Sequence, residues 1–268
     1  HIGYWGDHQV IYLLRLLEER ADGNPFFAEQ ILRHLQEESL LVLGENGWRV
    51  VENLPESTLS ADIKVVLVAR LDQLTREVRN VIQTASILGR EFEVQVLAHM
   101  LRDDDALAQE IAEAERASIW RMMTEIRYIF KHALLRDTAY TMQMQARRQE
   151  LHALALESLK WVYEKAIESC YGELAYHAEQ AQLTEDARRY LELAGDYAHN
   201  AYQNSSAADY YARALAITPP DELPARYRLG VALDDVYDQM GDRPAQRRNL
   251  DELQRLAADS NQMRHLAE

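Results

Sequence analysis

Leu191–Pro219, reading LELAGDYAHNAYQNSSAADYYARALAITP, is the stretch on which the fold turns. Gly195 and Ala207 stand 12 apart, and Tyr211, Ala214 and Pro219 follow at intervals of 4, 3 and 5. Small residues at this spacing sit where two antiparallel helices cross. A large ring fills the gap beside them, and a proline stops the pair. A helical hairpin of this kind cannot bury its apolar face alone, so the pattern predicts stacked neighbours of the same design.

The neighbours are legible. Leu233, Tyr237, Gly241, Leu250 and Leu253 repeat the pattern more weakly, with Gly241-Asp242 as the turn and Pro244 in the first turn of the closing helix. The connection Pro219-Pro220-Asp221-Glu222-Leu223-Pro224 is longer than the repeat requires. Helices from about Glu150 to Gln182 read as a leading repeat that has drifted, or as a cap. This is the tetratricopeptide rhythm, and residues 148–268 are expected to form a TPR-like α-solenoid. Tyr202, Tyr210, Tyr211 and Tyr227 are candidates for a partner-binding groove, with packing between helices as the competing reading.

Upstream, residues 55–147 carry a different pattern. Ile63, Val66, Leu67, Leu71 and Leu74 fall on one helix face, and Val78, Val81, Ile82, Ala85 and Leu88 on the next, which Gly89 ends. Phe92, Val96, Leu97 and Met100 predict a short third helix, and Asp103-Asp104-Asp105 can cap a fourth running to about Arg116. Ile119-Trp120 and Tyr128-Ile129-Phe130 can pair as a hairpin. Helices followed by two strands is the order of a winged helix.

Residues 1–54 open with a helix marked by Ile11, Leu14 and Leu17 and a second marked by Phe27, Ile31 and Leu35. Between them Gly23-Asn24-Pro25-Phe26-Phe27 is a tight corner. Asn24 can cap the helix and Pro25 fits its first position, where no N–H is missed. Such a corner can press on a flat base or serve as an ordinary turn. Leu40-Leu41-Val42-Leu43 and Trp48-Arg49-Val50-Val51 flank Gly44-Glu45-Asn46-Gly47, a hairpin whose Asn-Gly pair supplies positive φ angles. The fold class expected is mainly α.

The 268 residues carry 29 basic and 44 acidic side chains, a net charge of −15. That charge repels nucleic acid and anionic lipid. The fourth helix, Asp105 to Arg116, sets Asp105, Glu110, Glu113 and Glu115 against Arg116 alone, 1 − 4 = −3, where a major-groove helix needs positive charge. No apolar run approaches the ~20 residues that span a bilayer, and no signal peptide is present. The single cysteine, Cys170, rules out an internal disulfide framework and fits a reducing, cytoplasmic setting as an inert buried thiol. The chain starts at His1, without Met, and reads as part of something longer. No G-x-x-x-x-G-K-[ST] loop, G-x-G-x-x-G turn, H-E-x-x-H helix or G-x-S-x-G elbow is present, so no catalytic constellation and no metal site is expected.

Three segments in order carry a family resemblance: Gly23-Asn24-Pro25-Phe26-Phe27-Ala28-Glu29-Gln30; Ala69-Arg70-Leu71-Asp72-Gln73-Leu74 with Ala85-Ser86-Ile87-Leu88-Gly89-Arg90-Glu91-Phe92; and Phe130-Lys131-His132-Ala133-Leu134-Leu135-Arg136-Asp137-Thr138-Ala139-Tyr140. Followed by repeat helices, they resemble the C-terminal part of bacterial STAND-type signalling ATPases, often fused to adenylate/guanylate cyclase domains or LuxR-type regulators. The resemblance implies that an ATPase core, holding ADP or ATP with Mg, lies before His1, and that this chain alone holds no cofactor. It makes residues 1–54 the helical lid of that core. Pro25 would pack against adenine, with Gly23 allowing the approach. His132 would reach the β-phosphate of ADP, with Arg136 one turn on; the competing reading packs or caps His132 within its own domain. The upstream core, and a protein or small-molecule effector on the repeats, are the partners implied. A plain TPR scaffold and a DNA-binding regulator are the alternatives.

Overall fold

The computed structural model describes residues 13, 17, 25–37, 39–44, 47–50, 63–102 and 106–267. Gly23, Asn24 and the polar link at 55–58 lie outside them, and Pro25 is described in its backbone alone. The described chain is mainly α, with two small sheets. Its contacts divide it into two units: residues up to Val94 with Leu101–Met144, and Gln95–Met100 with Gln145–Glu268.

In the first unit, helix α1 (Pro25–Glu37) precedes a hairpin of β1 (Leu41–Gly44) and β2 (Gly47–Val50). Leu41 pairs with Val50 and Gly44 with Gly47, so the expected hairpin forms with Gly47 in β2 rather than in the turn; residues 45 and 46 lie outside the described residues. Leu13, Leu35 and Leu41 form a small core, flanked by Leu17, Ile31, Leu32 and Leu40.

Helices α2 (Ile63–Asp72) and α3 (Arg76–Leu88) follow. The Thr75 hydroxyl caps α3 by accepting from the Val78 N–H at 3.3 Å. Arg79 closes the end of α2 by donating to the carbonyls of Leu71, Asp72 and Leu74 at 3.1, 2.6 and 3.2 Å. The last carbonyls of a helix lack an N–H partner further along it, which is why a long cation is useful there. Val78, Val81, Ile82 and Ala85 are buried, as the helical spacing predicts.

Strand β3 (Glu91–Glu93) lies between α3 and α4 (Val94–Leu101), before α5 (Leu107–Arg116) and the hairpin of β4 (Trp120–Thr124) and β5 (Arg127–Phe130). The sheet order is β3-β5-β4, all antiparallel, with Trp120 opposite Phe130 and Phe92 opposite Tyr128. Phe92 lies 5.1 Å from the Trp120 ring and 5.8 Å from Phe130, so the buried face of the sheet is aromatic. Trp120 donates its indole N–H to the Ile111 carbonyl at 3.2 Å, which satisfies the polar edge of that ring. Phe92, expected from its spacing in the short third helix, lies instead in β3, two residues before α4 begins.

Helix α6 (Ala133–Thr141) ends this unit and packs on α3. Gln143 donates to Gln83 O, Ser86 Oγ and Ala139 O at 3.1, 3.3 and 3.2 Å, fixing the end of α6 to α3.

The second unit is a run of helices: α7 (Gln145–Val162), a 3-10 turn at Ile167–Cys170, α8 (Tyr171–Gln180), α9 (Thr184–Asn200), α10 (Asn204–Ile217), α11 (Leu223–Met240) and α12 (Arg243–Ala267). Each packs on its successor, which is the stacking that the repeat spacing predicts. Three of the turns share one geometry. A residue in the left-handed region, Gln182, Tyr202 or Gly241, ends the helix. The next N–H then reaches back, from Leu183 to Ala178 O, from Gln203 to Ala198 O, and from Asp242 to Tyr237 O, at 2.9, 2.8 and 3.0 Å. Cys170 is buried, its Sγ donates to Ile167 O at 3.2 Å, and burial pushes its pKa up to about 11, so the thiol is unreactive at neutral pH. Among the described residues no helix is long and apolar enough to cross a membrane.

Candidate functional site

Two places in the molecule gather the residues that the sequence singles out. The first is the junction of β5 and α6. His132 occupies the N-cap position of α6 with an extended backbone, φ −136° and ψ 135°. Its side chain makes no cap hydrogen bond. The ring is half-buried. Burial lowers its pKa below the usual imidazole value; Glu29 opposes this, and Arg70, Lys131 and Arg90 add to it. At neutral pH the ring is therefore uncharged.

The identity of those charges is informative. Glu29 comes from α1, the helix that opens at Pro25, so the first and third sequence segments meet electrostatically at His132. Lys131 precedes His132. Arg90 is placed by its own carbonyl, which accepts the Phe130 N–H at 2.9 Å. Arg70, 7% exposed, donates from its guanidinium to Ala117 O.

Arg136 is engaged at the end of α3. It donates from Nε to Ser86 O at 2.7 Å, pairs with Asp137 at 3.1 Å, and lies 4.9 Å over the Tyr140 ring. It closes the end of α3. Arg90 and Lys131 are cations that act on His132, while the Arg136 guanidinium, expected there from its spacing, is bound to Ser86 O and Asp137. One-turn spacing suggested a shared face, but it does not register that a nearby helix end can claim a guanidinium first.

The second place is a cleft of about 770 Å³ on the repeats, between α9 and the start of α11, with Tyr171 in its wall. Its charged lining includes Arg188, Arg189, Arg228, Glu192, Asp196 and Glu222. Arg188 binds Glu222 and, at 2.7 Å, Glu185. Arg228 forms a two-toothed pair with Glu192, both contacts 2.9 Å. Arg189 lies 5.6 Å over the Tyr190 ring.

None of the four tyrosines picked from the sequence lines this cleft. Tyr202 is the left-handed residue of the α9–α10 turn and 87% exposed. Tyr210 stands under the Arg213 guanidinium at 5.6 Å. Tyr211 is buried, and Tyr227 is exposed on α11. The ring that does line the cleft, Tyr171, had no signal beyond its place at the start of a helix. Among the described residues no group of three or more His, Cys, Asp or Glu side chains is placed to hold a metal.

No family model matches the chain. A curated relative, an uncharacterised protein of Rhizobium meliloti (strain 1021), is 28% identical over 191 residues, which cover 68% of this chain and 18% of that protein. The chain thus spans under a fifth of the length of the curated relative it matches. Among solved structures, a Signal Transduction ATPase with Numerous Domains protein with a tetratricopeptide repeat sensor, from Pyrococcus horikoshii, aligns over 91% of this chain and 38% of its own. At a TM-score of 0.35 and 10% identity that overlap carries no weight on what this chain does.

Proposed function

We propose that this chain is the regulatory and sensing portion of a STAND-type, nucleotide-switched ATPase. In this reading residues 1–54 are the lid of an ATPase core, residues 55–147 a winged helix, and residues 148–268 the TPR-like sensor. The observation that carries it is that Glu29, on the helix opening at Pro25, acts on the charge of His132 at the β5–α6 junction. The succession α3, β3, α4, α5, β4, β5 and the sheet order β3-β5-β4 support the winged-helix assignment.

The chemistry follows from the charges. Uncharged in the chain alone, His132 gains a reason to take up a proton once a phosphate arrives, and then donates a charge-assisted hydrogen bond. Arg90 and Lys131 supply the surrounding positive field. Bound ADP would hold the closed state through contacts that exist only there. A protein or small-molecule effector would settle in the Arg188–Arg228 cleft and bias the same equilibrium. Residues 1–268 supply no catalytic group in this reading; turnover belongs to the core.

A DNA-reading role is disfavoured because α5 sets Glu110, Glu113 and Glu115 against Arg116. A TPR scaffold without nucleotide control is the second reading, favoured by the cleft alone. Acid extraction of the full-length protein containing this chain, followed by chromatography of released nucleotide, separates the two. ADP near one per protein is expected. A preparation free of nucleotide that also fails to bind added ADP sinks the switch and leaves the scaffold.

A further inference from the structure

The interface of α7 and α8 buries two histidines that the proposed switch does not use. His152 on α7 is 1% exposed and His177 on α8 is 2% exposed. Their Nδ1 atoms lie 2.9 Å apart. Two imidazole nitrogens bond only when one carries a proton and the other offers a lone pair, so the two rings are opposite tautomers sharing one hydrogen between them.

We propose that this pair is an acid-opened latch on α7, at the start of the run of repeat helices. A proton added to the accepting Nδ1 sets N–H against N–H and breaks the bond. A proton added to the far nitrogen of the donor ring buries a cation. Either way the closed interface resists what the open one accepts, because rings exposed to water take up protons below about pH 6.5. With two protons at stake, the opening equilibrium steepens to at most ~100-fold per pH unit.

The surroundings carry charges of both signs. Arg148 lies one turn before His152 on α7, and Glu173 one turn before His177 on α8. Tyr176 stands edge-on to His152 at 5.6 Å. From α4, His99 bonds Ser158 Oγ at 2.9 Å and stacks on Trp161 at 4.7 Å. From α9 the buried titratable group is Tyr190, and the 3-10 turn brings Glu168 and Cys170. From α10, Arg213 binds Glu179. Opening releases α7, whose buried stripe is Leu151, Ala155, Leu156 and Leu159, so the acid form presents an apolar helix face that the neutral form hides.

Hydrogen–deuterium exchange on the whole chain at pH 7.5 and 5.5, corrected for intrinsic exchange rates, tests this. The expected result is at least a tenfold rise in opening of α7 and α8 at pH 5.5, a shallower pH slope in His152→Gln, and an unchanged slope in His99→Gln. Equal protection at both pH values overturns the latch, as does a full wild-type slope in His152→Gln. If that variant does not fold, NMR titration of the wild-type imidazoles decides. A ring of the pair that takes its proton near pH 6.5 while α7 and α8 stay protected contradicts the proposal; rings that gain protons only as protection falls support it.

Discussion

The Tyr211 ring covers the Cα of Gly195, and its hydroxyl donates to Asp196 Oδ1 at 2.6 Å. A methyl group on Gly195 would stand 2.6 Å from Tyr211 Cε1 and 2.7 Å from Cδ1. Neither helix can yield without parting α9 from α10. Gly195→Ala should therefore cost about 1–3 kcal/mol, by overpacking. Tyr211→Phe keeps the ring and loses the hydrogen bond, for about 0.5–1.5 kcal/mol. Urea denaturation of both variants checks the order. Burial first, then Asp196, raises the Tyr211 pKa above the usual phenol value. Its contribution is thus fully present below about pH 10 and fades as pH rises beyond it. Tyr211→Phe should lack that alkaline loss.

Tyr202 holds φ 59° in the turn where Gly241 holds 69° in the corresponding place one repeat later. A side chain in the left-handed region costs about 1 kcal/mol relative to glycine. Its ring is 87% exposed and contributes little packing in return. Tyr202→Gly should raise stability by up to about 1 kcal/mol, read as a higher melting temperature. A drop would show that the ring has a packing role after all.

Ion pairs join residues about one repeat apart: Arg188 with Glu222 and Arg213 with Glu179 at a separation of 34, and Arg228 with Glu192 at 36. Arg188 is 22% exposed in its side chain and Arg228 is 64% exposed. Solvent screening makes the second weaker. Arg188→Ala should cost up to about 1 kcal/mol and Arg228→Ala under about 0.5 kcal/mol. Repeating both melts in 1 M salt should shrink the Arg228 effect to nothing.

Thr84 is 1% exposed, and its Oγ1 has no hydrogen-bond partner among the described residues. A buried hydroxyl without a partner costs about 1–3 kcal/mol of desolvation. Thr84→Val has nearly the same shape and removes that cost. The variant should be at least as stable as the wild type by thermal melting.

These features divide by how local their cause is. Gly195, Ala207, Tyr211 and Ala214 could be read because helix crossings demand small residues and a ring at fixed intervals. The β1–β2 hairpin could be read because two apolar runs flank turn-forming glycine and asparagine. Strand β3 could not, since Glu91-Phe92-Glu93 is too short to show alternation and is held by Ile129, Tyr128 and Arg127, which lie far along the chain. The company of His132 was equally hidden. Arg90 and Arg70 reach it through the sheet and α2, and Arg136, the neighbour that spacing favoured, is bound elsewhere by Ser86 O. Spacing along one helix gives direction; it does not reveal which carbonyl a guanidinium will find.

His132 ties the account together, and ADP affinity of the full-length protein is the measurement that tests it most directly. Titration calorimetry of the wild type and His132→Ala should show at least a tenfold weaker Kd in the variant at pH 7. Burial lowers the His132 pKa, so the ring is neutral without phosphate, and a proton taken up on binding turns its hydrogen bond into a stronger, charge-assisted one. Wild-type affinity should therefore rise as pH falls from about 7.5 to 6, and that rise should vanish in His132→Ala. Equal affinities in the two proteins, with no difference in pH dependence, would contradict a nucleotide switch read through this histidine.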